Sequence, residues 1–137
     1  MLIDTDVLLD FFLNRQPFAE YSTQMVALCE LGELRGFVTP VIVSNLYYIL
    51  RRNSTHGKVI SEITKLLSMV DVLSMNKAVV MAALQSRFND FEDSLQYSAA
   101  LQSGNISVII TPNIKDYRKS EIGVMTPETF VRLRAAS

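Results

Sequence analysis

The sequence predicts a three-layer α/β/α sandwich around a central, mostly parallel sheet of four to five strands. Short apolar runs alternate with amphipathic helical stretches along the chain, which is the pattern of a parallel sheet whose strands are joined by helices. Pairs of helices between some strands supply the outer layers. The clearest strand is Ser107–Ile110, because an uninterrupted apolar run is typical of a strand buried on both faces.

Composition supports a single domain over residues 1–137. The chain is 49% hydrophobic and 20% charged, so it can bury a core without disulfides or structural metals. No internal repeat, low-complexity tract or linker interrupts it. This apolar content is high for a small monomer, and it favours a homodimer.

The elements are predicted in order from apolar runs, helical periodicity and capping residues. The predicted strands are residues 2–5, Phe37–Thr39, Asp71–Ser74, Ser107–Ile110 and Gly123–Met125. The predicted helices are Val7–Leu13, Phe18–Leu34, Val41–Arg52, Lys58–Met69, Asn76–Arg87, Asp90–Leu101 and a last one that begins near Thr126.

The long second helix is predicted from apolar residues that recur every three or four positions. Pro17 suits its first turn, and Gly36 is placed to end it. The recurring residues, which we expect to face the core, are Tyr21, Met25, Leu28, Leu31 and Leu34.

Polar residues mark the starts of three later helices. Thr39 or Pro40 begins the helix after strand two, and Asn76 caps the helix after strand three. Asp90 is predicted as the N-cap of the following helix, with Asp93 at its third position, close to a capping-box arrangement. Gly104 ends that helix.

Several classes of site are disfavoured by the residue counts. A single cysteine, Cys29, excludes an internal disulfide and a cysteine-based zinc site. The only histidine, His56, lies in a predicted turn, which disfavours a histidine-metal site. No apolar run reaches the ~20 residues needed to span a bilayer, and the chain begins directly with strand one, so a cytoplasmic protein is expected. The net charge of −1 does not by itself indicate nucleic-acid binding.

Three carboxylates fall where the predicted fold can bring them together. Asp4 ends strand one, Asp93 lies in the first turn of a helix, and Asp116 lies in the loop after strand Ser107–Ile110. Strand ends and the following helix starts share one edge of a parallel sheet. Clustered carboxylates repel unless a cation lies between them, and oxygen ligands suit Mg²⁺ or Mn²⁺. Such a metal activates water for attack on a phosphodiester.

Three segments resemble the signature blocks of the PIN domain family. They are Leu2–Leu9, Asp90–Ala100 and Ile110–Tyr117, and their order and spacing cover essentially the whole chain. The resemblance implies a Rossmann-like α/β/α fold and a divalent-metal ribonuclease. Members are often the toxin half of a toxin–antitoxin pair of the VapC type, so the resemblance also implies an RNA substrate and an antitoxin protein as partners.

The resemblance assigns site residues by position in those blocks. Asp4, Asp93 and Asp116 match the family's metal-site acids, which makes them the candidate catalytic and metal-binding residues. Thr111 matches the hydroxyl residue near the site. Asn113 follows it in the same segment and is expected to support the site.

The chain departs from the family's pattern at two positions. Asn45 stands where the family most often has Glu, so one charge is missing at the start of the helix after strand two. Asp6 stands where Asn is common and is a further candidate metal ligand. Glu92 is a second substitute for the missing acid.

The expected RNA contacts are basic residues on the site edge. Arg15, Lys115 and Arg118 are placed there, where phosphate contacts would form. Tyr48 is expected in the core or at a dimer interface more than as a base-stacking platform.

Two alternatives remain open beside the nuclease. Asp4-Thr5-Asp6 is a D-x-D after a first strand, as in haloacid-dehalogenase-type phosphatases, in which Asp4 would be the nucleophile and Asp6 the acid/base. The chain is short for that fold and lacks its late acidic pair. The other alternative is a PIN-like binding module with weakened catalysis, which Asn45 supports.

Overall fold

A computed structural model describes residues 1–137 and contains one five-stranded, all-parallel sheet. The strands are β1 (Leu2–Ile3), β2 (Gly36–Val38), β3 (Val70–Val72), β4 (Val108–Ile110) and β5 (Gly123–Met125). Their order across the sheet is β3-β2-β1-β4-β5. Leu2 of β1 pairs with Phe37 on one side and Ile109 on the other, so β1 lies at the centre.

Seven α-helices surround the sheet, and side-chain caps fix where six of them begin. Thr39, Asn76 and Asp90 each accept a backbone N–H three residues ahead, as the sequence predicted. The helices are α1 (Thr5–Phe12), α2 (Ala19–Glu30), α3 (Pro40–Leu50), α4 (His56–Leu67), α5 (Lys77–Leu84), α6 (Phe91–Ser103) and α7 (Pro127–Ala136).

The direction of the chain reverses at the centre of the sheet. The path β1 to β2 to β3 runs one way, and the connection through α5 and α6 returns to β4 on the other side of β1. Right-handed crossovers therefore place α1–α4 on one face and α5–α6 on the opposite face. The predicted three-layer α/β/α sandwich is confirmed. It has a reversal point between β1 and β4, where open α/β sheets bind ligands.

The prediction for the second helix was wrong at its end. α2 ends at Glu30, and Gly32, with φ of 75°, turns the chain. Leu31 is 71% exposed, and the buried stripe contains Ser22, Val26 and Cys29 as well as Met25. Small and polar residues supply part of this buried face, so an apolar pattern alone misplaced it.

Two predicted loops also contain helical structure. His56 was placed in a turn, but it is the first residue of α4, behind the N-cap Thr55. The segment after β4 includes a short 3₁₀ helix, Ile114–Tyr117. Tyr117 within it is only 1% exposed, so the segment is anchored in the core. Other helix ends shift by a few residues, and α5 stops at Leu84 instead of Arg87.

Gly36 lies where the sheet and α2 approach closely. A Cβ at this position would lie 2.9 Å from Cys29 Sγ and 3.0 Å from both Ile3 Cδ1 and Val70 Cγ1. Gly36 therefore belongs to a strand and does not end a helix. It leaves space that neighbouring side chains fill.

We expect Gly36→Ala to destabilise the protein by about 1–3 kcal/mol through overpacking. Gly57→Ala is the matched control, because nothing lies within 4 Å of a Cβ there and Gly57 is in helix α4. That variant should be neutral or slightly stabilising. Urea denaturation measures both, and equal stabilities would contradict the close approach.

No helix is both long enough and apolar enough to pass through a bilayer.

Candidate active site

An acidic cleft of about 450 Å³ opens at the carboxyl ends of β1 and β4. It lies at the reversal point of the sheet, where the loops after the two strands separate. Six carboxylates from three parts of the chain line it: Asp4, Asp6, Asp90, Glu92, Asp93 and Asp116. The three predicted metal-site acids therefore share one cleft.

Asp4 is held rigidly between β1 and β4. It is the N-cap of α1, and its Oδ1 accepts from the Thr5 N–H at 2.8 Å. Its Oδ2 accepts from the Thr111 hydroxyl at 2.9 Å. Burial raises the pKa of Asp4, although these two donors oppose the shift, and the charges of Asp6 and Asp116 raise it further.

Asp93 lies in the first turn of α6. Its N–H donates to Asp90 Oδ1 at 3.0 Å, so Asp90 is the cap and the Asp93 carboxyl is left to face the cleft. Burial raises the pKa of Asp93 to about 7, with further contributions from Asp90, Asp4 and Asp116. The Tyr117 hydroxyl faces Asp93 but completes no hydrogen bond in this arrangement.

Asp116 is placed by the 3₁₀ helix after β4. Its N–H donates to Asn113 O at 3.0 Å, which folds the segment back toward the strand end. The side chain is exposed, and its charge raises the pKa of Asp4 and of Asp93. The Asp116 carboxylate therefore lies within electrostatic reach of Asp4 and Asp93.

Asp6 is engaged by two side chains. Asn113 Nδ2 donates to its Oδ2 at 2.8 Å, and Arg15 Nη2 lies 3.8 Å from its Oδ1. Arg15 is bound more closely to Asp10, with Nε 2.9 Å from Oδ1. Arg15 thus offsets part of the charge that Asp6 adds to the cleft.

Asn45 does not stand alone at the position of the missing acid. Its Nδ2 donates to Glu92 Oε2 at 3.3 Å, which joins α3 to the start of α6. Both residues line the cleft. A carboxylate therefore lies directly beside the amide, supplied from a different helix.

The carboxylate oxygens that line the cleft suit a hard divalent cation as ligands. Burial raises the pKa values of Asp4 and Asp93, and the neighbouring carboxylates raise them further, so a cation between these groups would be favourable. Oxygen ligands of this kind match Mg²⁺ or Mn²⁺. As the side chains stand, however, no three acidic, histidine or cysteine residues form a ready-made metal site. The chemistry fits a metal, and the side chains would have to converge further to hold it.

Some residues that line the cleft were not predicted as site residues. Gln96 is 2% exposed, and its Oε1 accepts from the Thr39 hydroxyl. Tyr48 is 67% exposed at the cleft, so it does not lie in the core, whereas its expected place at a dimer interface stays a prediction. Arg52 also lines the cleft. The one sequence signal for Gln96 as a site residue is that a glutamine in a buried helix needs a hydrogen-bond partner.

Lys115 and Arg118 lie on one flank of the carboxylates. With Lys119 they line a smaller cavity of about 210 Å³ that also contains Asp93 and Asp116. Arg15 lies on the opposite flank, beside Asp6. Basic side chains thus border the acidic cleft on two sides.

Thr111 connects the two strand ends, and it is fully buried. Its hydroxyl donates to Asp4 and accepts from the Asn113 N–H at 3.0 Å.

We expect Thr111→Val to lower the free energy of unfolding by about 1–3 kcal/mol, because both partners lose a hydrogen bond. Thr111→Ser keeps the hydroxyl and is the control. Thermal or urea unfolding measures both, and a Val variant more stable than the Ser variant would contradict this role.

Comparison with known proteins identifies the family. A family model described as PIN domain matches residues 1–115. Ribonuclease VapC1 of Aquifex aeolicus (strain VF5) is 26% identical over 135 residues, which cover 95% of this chain and 92% of that protein.

Solved structures share the fold. A toxin–antitoxin complex from Klebsiella pneumoniae contains a chain with a TM-score of 0.68 and 18% identity, covering 92% of this chain and 96% of that one. VapBC-1 from nontypeable Haemophilus influenzae gives a TM-score of 0.68 and 18% identity, with coverage of 93% and 97%. With its family-model match over most of the sequence and this fold, the chain belongs to the PIN domain family.

Proposed function

We propose that this protein is a divalent-metal-dependent endoribonuclease that hydrolyses RNA phosphodiesters. The observation that carries the proposal is the meeting of Asp4, Asp93 and Asp116 in one cleft, from three distant parts of the chain. Membership of the PIN family and a relative named as a ribonuclease support it. Fold alone would not, because function depends on the site.

Asp4, Asp93 and Asp116 would hold Mg²⁺ or Mn²⁺, with Asp6 as a further ligand. A cation bound there lowers the pKa of water and stabilises the charge that develops on the phosphodiester. Thr5 and Thr111 fix the Asp4 carboxylate, as supporting partners of metal ligands do. Asn113 does the same for Asp6.

The remaining polar residues would position the substrate. Lys115 and Arg118 on one flank and Arg15 on the other are placed to contact phosphates of the RNA. Asn45 and Glu92 act as a pair at the wall of the cleft, where Glu92 supplies the charge that Asn45 lacks.

In the cell, the protein would act in the cytoplasm as the toxin of a toxin–antitoxin pair. One of the similar solved structures is named as a toxin–antitoxin complex, which supports an antitoxin protein as partner. We also propose that residues 1–137 form one domain and that it associates as a homodimer. Met81 and Leu84 of α5 and Leu101 of α6 are 45–63% exposed and give the two contacting helices an apolar surface.

A second candidate is a PIN-like binding module without strong catalysis. Asn45 and the absence of a ready-made three-ligand group favour it. Calorimetric titration with Mn²⁺ and Mg²⁺ separates the two candidates. No saturable binding in the millimolar range would favour the module, whereas binding that is lost in Asp4→Asn would favour the nuclease.

The direct test is RNA cleavage by purified protein. We expect cleavage with Mg²⁺ or Mn²⁺, loss of cleavage with EDTA, and recovery when excess metal is added back. Cleavage that persists in EDTA, in a preparation free of contaminating nuclease, would overturn the proposal. Hydrolysis of p-nitrophenyl phosphate without RNA cleavage would instead support the phosphatase alternative.

A further inference from the structure

A second cavity of about 370 Å³ lies beside the acidic cleft, and no role has been assigned to it so far. Three prolines, Pro17, Pro112 and Pro127, form much of its wall. The aromatic rings of Phe18 and Tyr21 face it, and Phe18 is 55% exposed. We refer to it as the proline-lined pocket. Its size and its flat, apolar walls suit a planar ring.

The proline-lined pocket lies next to the acidic cleft. Asp10 in the pocket and Asp6 in the cleft are four residues apart on α1, about 6 Å along the helix axis. Arg15 contacts both carboxylates. Pro112 in the pocket directly precedes Asn113 in the cleft. An RNA whose phosphate lies in the cleft could therefore place a neighbouring base in the pocket.

The polar groups of the pocket are mostly hydrogen-bond acceptors. The Asp10 side chain is only 8% exposed; its Oδ1 lies 2.9 Å from Arg15 Nε, and no ion pair engages its Oδ2. Glu20 and Glu128 add two more carboxylates. The Tyr21 hydroxyl accepts from Arg132 Nη2 at 3.3 Å. A ring that enters this pocket meets oxygens that need N–H donors.

The charge of the pocket is compatible with RNA. Asp10 is paired with Arg15, and Glu128 is paired with Arg132 at 2.8 Å. Two of the three carboxylates are therefore offset by guanidinium groups. Only Glu20 lacks a cationic partner among the ion pairs.

We propose that the proline-lined pocket binds a nucleobase that carries an exocyclic amino group, from the nucleotide next to the scissile phosphate. The ring packs against Phe18 and Tyr21, as unstacked bases do on aromatic side chains. The amino group of guanine, adenine or cytosine donates to the free oxygen of Asp10. Uracil has no amino group, and its single N3–H donor lies between two carbonyl oxygens, which would be placed against the carboxylates. This inference rests on the proposed ribonuclease activity and adds its base preference.

The test is sequencing of the ends released from an RNA library with randomised positions. We expect the wild-type protein to disfavour uracil at one fixed position beside the cut by about tenfold, as expected for one hydrogen bond to a charged group. Asp10→Asn replaces one acceptor oxygen by an NH2 donor. Because Arg15 would keep the remaining oxygen, the donor faces the pocket, and the bias should disappear or reverse toward uracil. Glu20→Gln should weaken the bias. Glu30→Gln, on the exposed side of the same helix, is the matched control and should leave it unchanged.

A binding measurement keeps the proposal testable if a variant folds poorly or cleavage is absent. Cytidine and uridine monophosphates are titrated into the isotope-labelled wild-type protein and followed by NMR. We expect shifts at Phe18 and Tyr21 with the cytidine nucleotide and much weaker ones with uridine, and we expect Asp10→Asn to remove the difference.

The outcomes separate this inference from the proposed function. If the wild type cleaves no RNA, the proposed ribonuclease activity is overturned. The nucleotide titration would then test base binding in the pocket independently of cleavage. If the wild type cleaves RNA without base preference and Asp10→Asn does not change the cleavage pattern, the proposed base-binding role of the pocket is overturned. The proposed ribonuclease activity would then still stand. Equal shifts with both nucleotides, or shifts only with a partner protein, would also overturn the base-binding role.

Discussion

Replacing Asp4 with Asn is expected to lower RNA cleavage by more than about 100-fold, since even the partners of metal ligands contribute 10- to 100-fold. Asp4 is the acid that both strand ends support, through Thr5 and Thr111. The amide keeps an oxygen that can accept a hydrogen bond, but it loses the charge that a cation requires. The measurement is the rate of cleavage of a labelled RNA in Mn²⁺.

The control is Asp71→Asn, which removes an exposed carboxylate on β3, paired with Arg35 and outside the cleft. It should cleave RNA like the wild type. Circular dichroism and thermal unfolding check that Asp4→Asn is folded. A folded Asp4→Asn protein with wild-type cleavage would remove Asp4 from the catalytic residues.

Divalent cations are expected to stabilise the protein strongly at pH 8 and weakly at pH 5. Burial and neighbouring carboxylates raise the pKa of Asp93 to about 7, and they raise the pKa of Asp4 as well. Between the ordinary pKa and the raised one, the folded state keeps a proton that the unfolded state has released. In EDTA, stability should therefore fall as the pH rises from about 4 to 7 and stay low above that range.

Metal reverses this loss because it binds the ionised carboxylates. At a Mn²⁺ concentration about 100 times the dissociation constant, the gain is about 2.7 kcal/mol. Differential scanning calorimetry at pH 5 and pH 8, with EDTA or Mn²⁺, measures it. Asp93→Asn should show a smaller fall with pH and a smaller response to Mn²⁺, whereas Asp71→Asn should match the wild type. An EDTA-treated protein that is more stable at pH 8 than at pH 5 would contradict this account.

The fold was largely predictable because its signals are local. The apolar run before Ile110, the caps Thr39, Asn76 and Asp90, and the alternation of strands with helices all act within a few residues. The end of α2 was not predictable in this way. Ser22 and Cys29 face the core, and Cys29 Sγ fills the space that Gly36 leaves open, a contact that no pattern within α2 shows.

The same distinction between local and long-range signals applies to the candidate site. Asp4, Asp93 and Asp116 could be named from sequence, because each follows a strand or begins a helix. The side chains that hydrogen-bond to the polar groups of the site could not be named from sequence. The Thr111 hydroxyl bonds Asp4 across 107 positions, and Asn45 bonds Glu92 across 47. Such pairs depend on the order of strands and the crossing of helices, which no local pattern encodes.

Asp6 is the clearest example of what the sequence and the tertiary structure each determine. Its sequence position, two residues after Asp4, supplies an extra carboxylate at the edge where β1 ends. Only the tertiary structure places Asn113 and Arg15 on that carboxylate and Glu92 beside Asn45. The sequence by itself thus determined which charges are available near the site. The packing of the parallel sheet decided which of them are free to meet a cation, because electrostatic interactions depend on distances that the chain sets only after it has folded.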